Sequence, residues 1–174
     1  YVNGWSGCIM ATVIRGDDNF DTAINGKVLQ VGHVQVGTVA TGTTPMPFDG
    51  SIPQITEGDE FMSLSFTPKN ASNILLIESS ASVSTTTNDY AGFALFKDAV
   101  TNALSSKVSF VSPTHAIMPL MLQHRMVAGT TSAITFRIRV GAQVANTTTF
   151  NGRVGGLVGG SVLSSYITVT EYTP

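Results

Sequence analysis

Apolar and polar residues alternate one by one along several stretches of this chain. In residues 134–140, ITFRIRV, the side chains of Ile134, Phe136, Ile138 and Val140 fall on one side of the alternation and Thr135, Arg137 and Arg139 on the other. That two-residue period belongs to a strand with one face in a core, whereas a helix would scatter the four apolar groups around its axis. The closing run 165–172, SYITVTEY, sets Ile167 and Val169 against Tyr166, Thr168, Thr170 and Tyr172, and its β-branched and aromatic content suits a pleated, half-buried surface. Further strands are predicted over 28–36, 62–66, 74–83, 90–96 and 117–127. The first of these is apolar on both alternations, as in a strand covered on both faces. Residues 99–108 are read as a strand, although Ala99, Val100, Ala103 and Leu104 also fit helical spacing.

Asn25-Gly26 is a strong turn signal before the first proper strand. The expected organisation is a connector over residues 1–26 followed by a head domain over 27–174. The intervals between turn signals fit an all-β, antiparallel two-sheet β-sandwich, jelly-roll-like, of about eight strands. If successive strands run antiparallel, connections alternate between the two ends of the sandwich. Residues 37–59, 84–89, 111–116 and 142–162 then gather at one end, with the tight turns 68–73, 97–102 and 128–132 at the other. The connector also reaches the tight-turn end, so the long loops face away from the attachment, as suits a binding head.

Composition sharpens this picture in two ways. Charged residues are 11% of the 174 residues, against about 25% in ordinary soluble domains, which fits either an outer face that meets copies of itself or an extracellular-type β domain with a threonine-rich exterior. A net charge of −2, with nine basic residues spread along the chain, favours neither nucleic acid nor an anionic membrane. No stretch is long or apolar enough for membrane insertion as a helix. The single Cys8 excludes an internal disulfide framework. A start at Tyr1 rather than Met reads as a fragment or processed product.

Candidate chemistry is sparse. Asp49, Glu57, Asp59 and Glu60 form the only dense acidic group of the head, and a solvated loop is favoured there over paired catalytic carboxylates or a calcium site. His33, His115 and His124 make no HxH or HExxH pair. In a threefold assembly a histidine near the axis becomes three, and His124 is the candidate for holding an ion there. No other metal and no cofactor is expected. Gly4-Trp5-Ser6-Gly7 is not a G-x-S-x-G elbow, and Arg15-Gly16-Asp17 reads as a turn. For binding, the aromatic and polar groups assigned to the loop end stand out: Phe48, Tyr90, Phe110, His115, Phe150, Asn151 and Arg153. Aromatic faces stack on sugar rings or enter protein pockets, while Asn and Arg supply directional hydrogen bonds. About half of the seven are expected to cap the core instead.

The segments LSFTPKNASNILLIE (64–78), GFALFKDAVTNAL (92–104), RMVAGTTSAITFRIRVGA (125–142), TTTFNG (147–152) and SYITVTEY (165–172) resemble the C-terminal domains of tailed-bacteriophage fibre and spike proteins. The resemblance covers about residues 26–174, and the loop 37–59 and the region 111–122 depart from it. It implies a trimeric jelly roll at the tip of a fibre or on another virion part. The expected function is then a non-enzymatic head that attaches the virion to a bacterial surface glycan or outer-membrane protein. Its expected partners are two further copies of itself and, through the connector, other virion proteins. The rival readings are a capsid or baseplate cement protein that clamps neighbouring virion subunits, and an enzyme that trims host polysaccharide.

Overall fold

The computed structural model describes residues 26–174. The connector expected over 1–26, with Arg15-Gly16-Asp17 and Gly4-Trp5-Ser6-Gly7, therefore falls outside the described residues but for Gly26. The described chain is all-β and antiparallel, with eight long strands and four short ones. In chain order these are β1 (Val28–Val36), β2 (Ala40–Gly42), β3 (Asp59–Phe66), β4 (Ile74–Thr85), β5 (Asp89–Lys97), β6 (Ser105–Val111), β7 (Met118–Val127), β8 (Ile134–Ala142), β9 (Thr148–Phe150), β10 (Gly152–Arg153), β11 (Gly156–Leu157) and β12 (Ser165–Tyr172).

Two sheets face each other. The first runs β1-β12-β4-β7, and where β12 leaves the edge of β4, β9 continues it and carries β2. The second runs β3-β8-β5-β6. The alternation seen in the sequence is what fills the space between them. Leu75, Ile77, Ala81 and Val83 of β4 and Ile167 and Val169 of β12 point inward, against Phe93 and Leu95 of β5 and Ile134, Phe136, Ile138 and Val140 of β8. Burying each of the larger side chains is worth about 2 kcal/mol.

Two buried polar residues pin the first sheet from within. The Glu171 carboxylate accepts from Asn73 Nδ2 at 2.5 Å, Gln30 Nε2 at 2.6 Å and the Lys69 N–H at 2.8 Å, tying β12 to β1 and to the turn after β3. At the opposite end, Asn151 donates from Nδ2 to the Val36 carbonyl at 2.7 Å and from its backbone N–H to the Ser82 carbonyl at 2.8 Å. Its Oδ1 accepts from Ser165 Oγ at 2.6 Å, so one residue joins β1 and β12 through its side chain and β4 through its backbone.

The predicted segregation of loops holds for three of the four long connections. Hydrogen bonds from His115 N–H to the Thr85 carbonyl, Thr86 N–H to the Thr147 carbonyl and Gln143 N–H to the Tyr90 carbonyl draw them together at one end. The fourth, 37–59, departs from the expectation in its residues 43–58. It starts at that end, then lies as a strap along the outer face of the second sheet and reaches the far end, where Gln54 bridges Asn102 and Ile55 N–H bonds the Thr101 carbonyl. The reason is an apolar outer alternation: Ala94 and Phe96 of β5 need a cover, and Met46, Ile55 and Ala103 supply it.

Two further expectations are corrected. β1 is an edge strand paired with β12 alone, and its outer alternation is uncovered, so Val31 is 58% exposed. The predicted strand 99–108 begins only at Ser105. Residues 98–104 form the turn instead, because Asp98 takes a positive φ of 53° and its carboxylate caps the Thr135 N–H at 2.8 Å.

Candidate functional site

The pleat of the second sheet brings together side chains far apart in sequence. Tyr90 on β5 and Phe110 on β6 are cross-strand partners on the outer alternation, with ring centroids 5.0 Å apart. Phe48, delivered by the strap, sits edge-on to Tyr90 at 5.9 Å. Tyr90 and Phe110, 45% and 47% exposed, are the two exposed aromatic residues among the described residues. Beside them runs a groove of about 430 Å³ between strap and sheet, lined by Met46, Phe48, Asp49, Tyr90, Val108 and Gln143, among others.

The strap is seated by missing side chains and by fixed charges. At Gly92 a Cβ would lie 2.6 Å from Met46 Sδ and 2.9 Å from the Phe48 ring, so only glycine lets the strap descend there. Asp59 accepts from Thr44 N–H at 2.9 Å and Thr44 Oγ1 at 2.7 Å, and Arg139 donates to the carbonyls of Glu57 and Gly58 at 2.9 and 2.7 Å. Glu60 pairs with Arg137 at 2.8 Å. The acidic group read in the sequence is thus divided among separate structural partners, and no two of its carboxylates converge as an acid/base pair. Asp49 alone belongs to the groove. The Ser51 hydroxyl and then the Ser51 N–H donate to its Oδ1, and these bonds hold the Asp49 carboxyl below the usual aspartate value.

Of the seven residues proposed for binding, Phe48, Tyr90 and Phe110 are brought together. Phe150 and Asn151 are fully buried, the first stacked on Phe61 at 5.0 Å and the second in the tie described above, so neither offers a contact surface. His115 lies in the β6–β7 connection, half-buried, with φ 69°. Arg153 is exposed on the β10–β11 hairpin, which packs beside residues 37–41 rather than at the groove. His124 shares the core-facing alternation of β7 with Leu120 and Leu122, and burial lowers its pKa. An axis along the outer face of that sheet would not collect it. Among the described residues, no three His, Cys, Asp or Glu side chains gather as a metal site.

Met46, Asp49, Val108 and Gln143 were not foreseen. The Pro-Met-Pro-Phe run 45–48 and a glycine in the middle of an apolar strand were the available signals.

No protein-family model matches this chain, and no curated protein matches it. Among solved structures it is similar to the Eiger TNF of S. frugiperda, at 10% identity over 81% of this chain and 90% of that one, with a TM-score of 0.46. It is also similar to the CBM22-1 xylan-binding domain of Paenibacillus barcinonensis Xyn10C, at 13% identity over 87% and 99%, with a TM-score of 0.39. A third is the C-terminal domain of EclA, a sugar-binding protein, at 12% identity over 82% and 88%, with a TM-score of 0.35. Likeness at this level assigns no ligand to this chain.

Proposed function

We propose that this chain is the non-enzymatic head of a homotrimeric bacteriophage tail fibre or spike, and that the groove lined by Phe48 and Tyr90 attaches it to a bacterial surface glycan. The observation that carries the attachment is the groove itself: the rings of Phe48 and Tyr90 line a furrow that also offers a carboxylate, hydroxyls and an amide. Rings of this kind stack on the C–H face of a sugar while the polar groups take its hydroxyls. Three copies of such a site gain avidity from effective concentration. The virion setting is supported by the segments that resemble fibre and spike heads.

The trimer is supported by the outer face of the first sheet. Val28, Val31, Met121 and Val127 are exposed there beside Ile74, Leu76, Tyr166 and Tyr172, with Glu78, Arg125 and His33 as its charged or titratable groups. Four strands of about eight residues give a flat footprint of about 500 Å², a size that approaches one side of a stable subunit interface.

Attachment is tested with labelled protein on host cells and on their isolated polysaccharide. Tyr90→Ala is expected to weaken both by about tenfold per site, the loss of one stacked ring, with thermal unfolding nearly unchanged. Undiminished binding would remove the groove from the function, and decoration of virion shells in place of cells would favour the cement role.

A further inference from the structure

We propose that the groove takes the ammonium-bearing part of its ligand, an amino sugar, between the rings of Phe48 and Tyr90 and the carboxylate of Asp49, all three on its lining. This rests on the glycan-attachment reading above and narrows it to a chemical class. An ammonium within about 6 Å of a ring centroid is drawn to the negative π face, and rings together with a carboxylate form the standard cradle for such a cation. Here the Phe48 and Tyr90 rings lie 5.9 Å apart on the groove wall, so one cation can rest beside both.

Asp49 completes the cradle. Ser51 occupies its Oδ1, and among the described residues Oδ2 has no hydrogen-bond partner. The carboxylate is fixed in the ionised form by the same serine and stands at the groove wall next to Phe48. Lys107 is the one cationic residue on the lining. It lies on the opposite alternation of β6 from Ser106 and Val108, and it also lines the furrow of Glu78, Gln123 and Tyr166 on the far side of that strand. Asp49 is the one carboxylate on the lining and adjoins Phe48, so it is the charge assigned to a ligand resting on the rings. An acidic sugar would be repelled, a neutral one tolerated and a protonated amine held.

Calorimetric titration of the whole chain with a glucosamine oligomer and with its N-acetylated counterpart tests this. The free-amine oligomer is expected to bind about tenfold more tightly, the sum of an exposed cation–π contact and an exposed ion pair. The preference should vanish in Asp49→Asn, and in the unaltered protein once the pH exceeds that at which the amine loses its proton. In the unaltered protein the acetylated oligomer should bind equally at both pH values, and an unchanged thermal unfolding certifies that Asp49→Asn is folded. Equal affinity for the two oligomers, or a preference that survives Asp49→Asn, overturns the amino-sugar assignment while leaving glycan attachment standing. Binding of neither oligomer overturns the assignment as well, and Tyr90-dependent capture by host polysaccharide then decides separately whether the attachment reading survives.

Discussion

The two sheets of this sandwich expose outer faces of opposite kinds. That of β3-β8-β5-β6 is covered by the strap 43–58, and a furrow with aromatic walls remains at the border of the cover. That of β1-β12-β4-β7 carries no cover among the described residues and leaves Val28, Val31, Met121 and Val127 exposed among polar neighbours across four strands. The difference extends to what holds each sheet. The bare sheet is pinned from inside by Glu171 at one end and Asn151 at the other, whereas the covered one is clamped from outside through Asp59, Arg139 and Gly92. A narrow border suits a small ligand, and a wide flat face suits another protein surface. The same fold thereby separates recognition from assembly.

The largest effect should come from the internal pin. Glu171→Ala leaves the Asn73 amide, the Gln30 amide and the Lys69 N–H without their acceptor in a buried place, and is expected to cost about 4 kcal/mol in chemical denaturation. A loss under about 1 kcal/mol would mean that the first sheet does not depend on this tie. Next comes the external clamp. A Cβ at Gly141 would stand 2.7 Å from the Thr44 carbonyl oxygen and 2.9 Å from both Gly58 Cα and Met46 N, all of them backbone atoms. Gly141→Val is expected to lift the strap at about 3 kcal/mol and to abolish glycan binding while self-association persists. Retained binding would separate the groove from the strap.

These two ties also explain what could be read in advance. Strand positions were legible because the core is built on strict alternation: 28–36 and 165–172 are the observed limits of β1 and β12. The segments that resemble fibre heads turn out to be knots of the fold. Lys69 and Asn70 of FTPKN donate backbone N–H groups to Glu171 of ITVTEY, and Asn151 of TFNG joins three strands. Those motifs therefore speak for the architecture and not for a ligand. The strap was illegible as a cover because its apolar anchors, Met46 and Ile55, are separated by polar residues without a period. Half of the candidate site followed from that: Tyr90 and Phe110 could be paired by register once the strands were known, but Asp49 and Gln143 reach the groove only through the path of the strap and the end of β8.

A third test addresses the bare face. Val31 and Met121 lie near opposite edges of it, 58% and 64% exposed. Val31→Asp with Met121→Asp adds two charges to a surface that self-association would dry. Light scattering is expected to show a trimer for the unaltered chain and a monomer for the double variant, with weakening of at least about a hundredfold, since a desolvated unpaired charge costs several kcal/mol. Unfolding of the monomer should change by less than about 1 kcal/mol, because exposed sites rarely carry more. A monomer in both samples would reassign the face to another virion protein.

The smallest effect is the most specific, because it concerns only the internally pinned sheet. Burial by itself would raise the pKa of Glu171, but hydrogen bonds from Asn73, Gln30 and the N–H groups of Lys69 and Asn70 outweigh it and hold the group below its ordinary value of 4.5. A carboxylate depressed by folding contributes stability that is complete above its unfolded pKa and is lost as the pH falls through the folded value. His124 on β7 is depressed from 6.5 by burial, so the unfolded chain takes up its proton first, and stability already falls as the pH drops below 6.5. Thermal unfolding should consequently weaken in two windows, one opening below 6.5 and one below 4.5. His124→Met should remove the first, and Glu171→Gln, whose folded reference is less stable throughout, should flatten the second. If both windows persist in both variants, the acid sensitivity lies elsewhere, and the internal pinning of the bare sheet loses its electrostatic component.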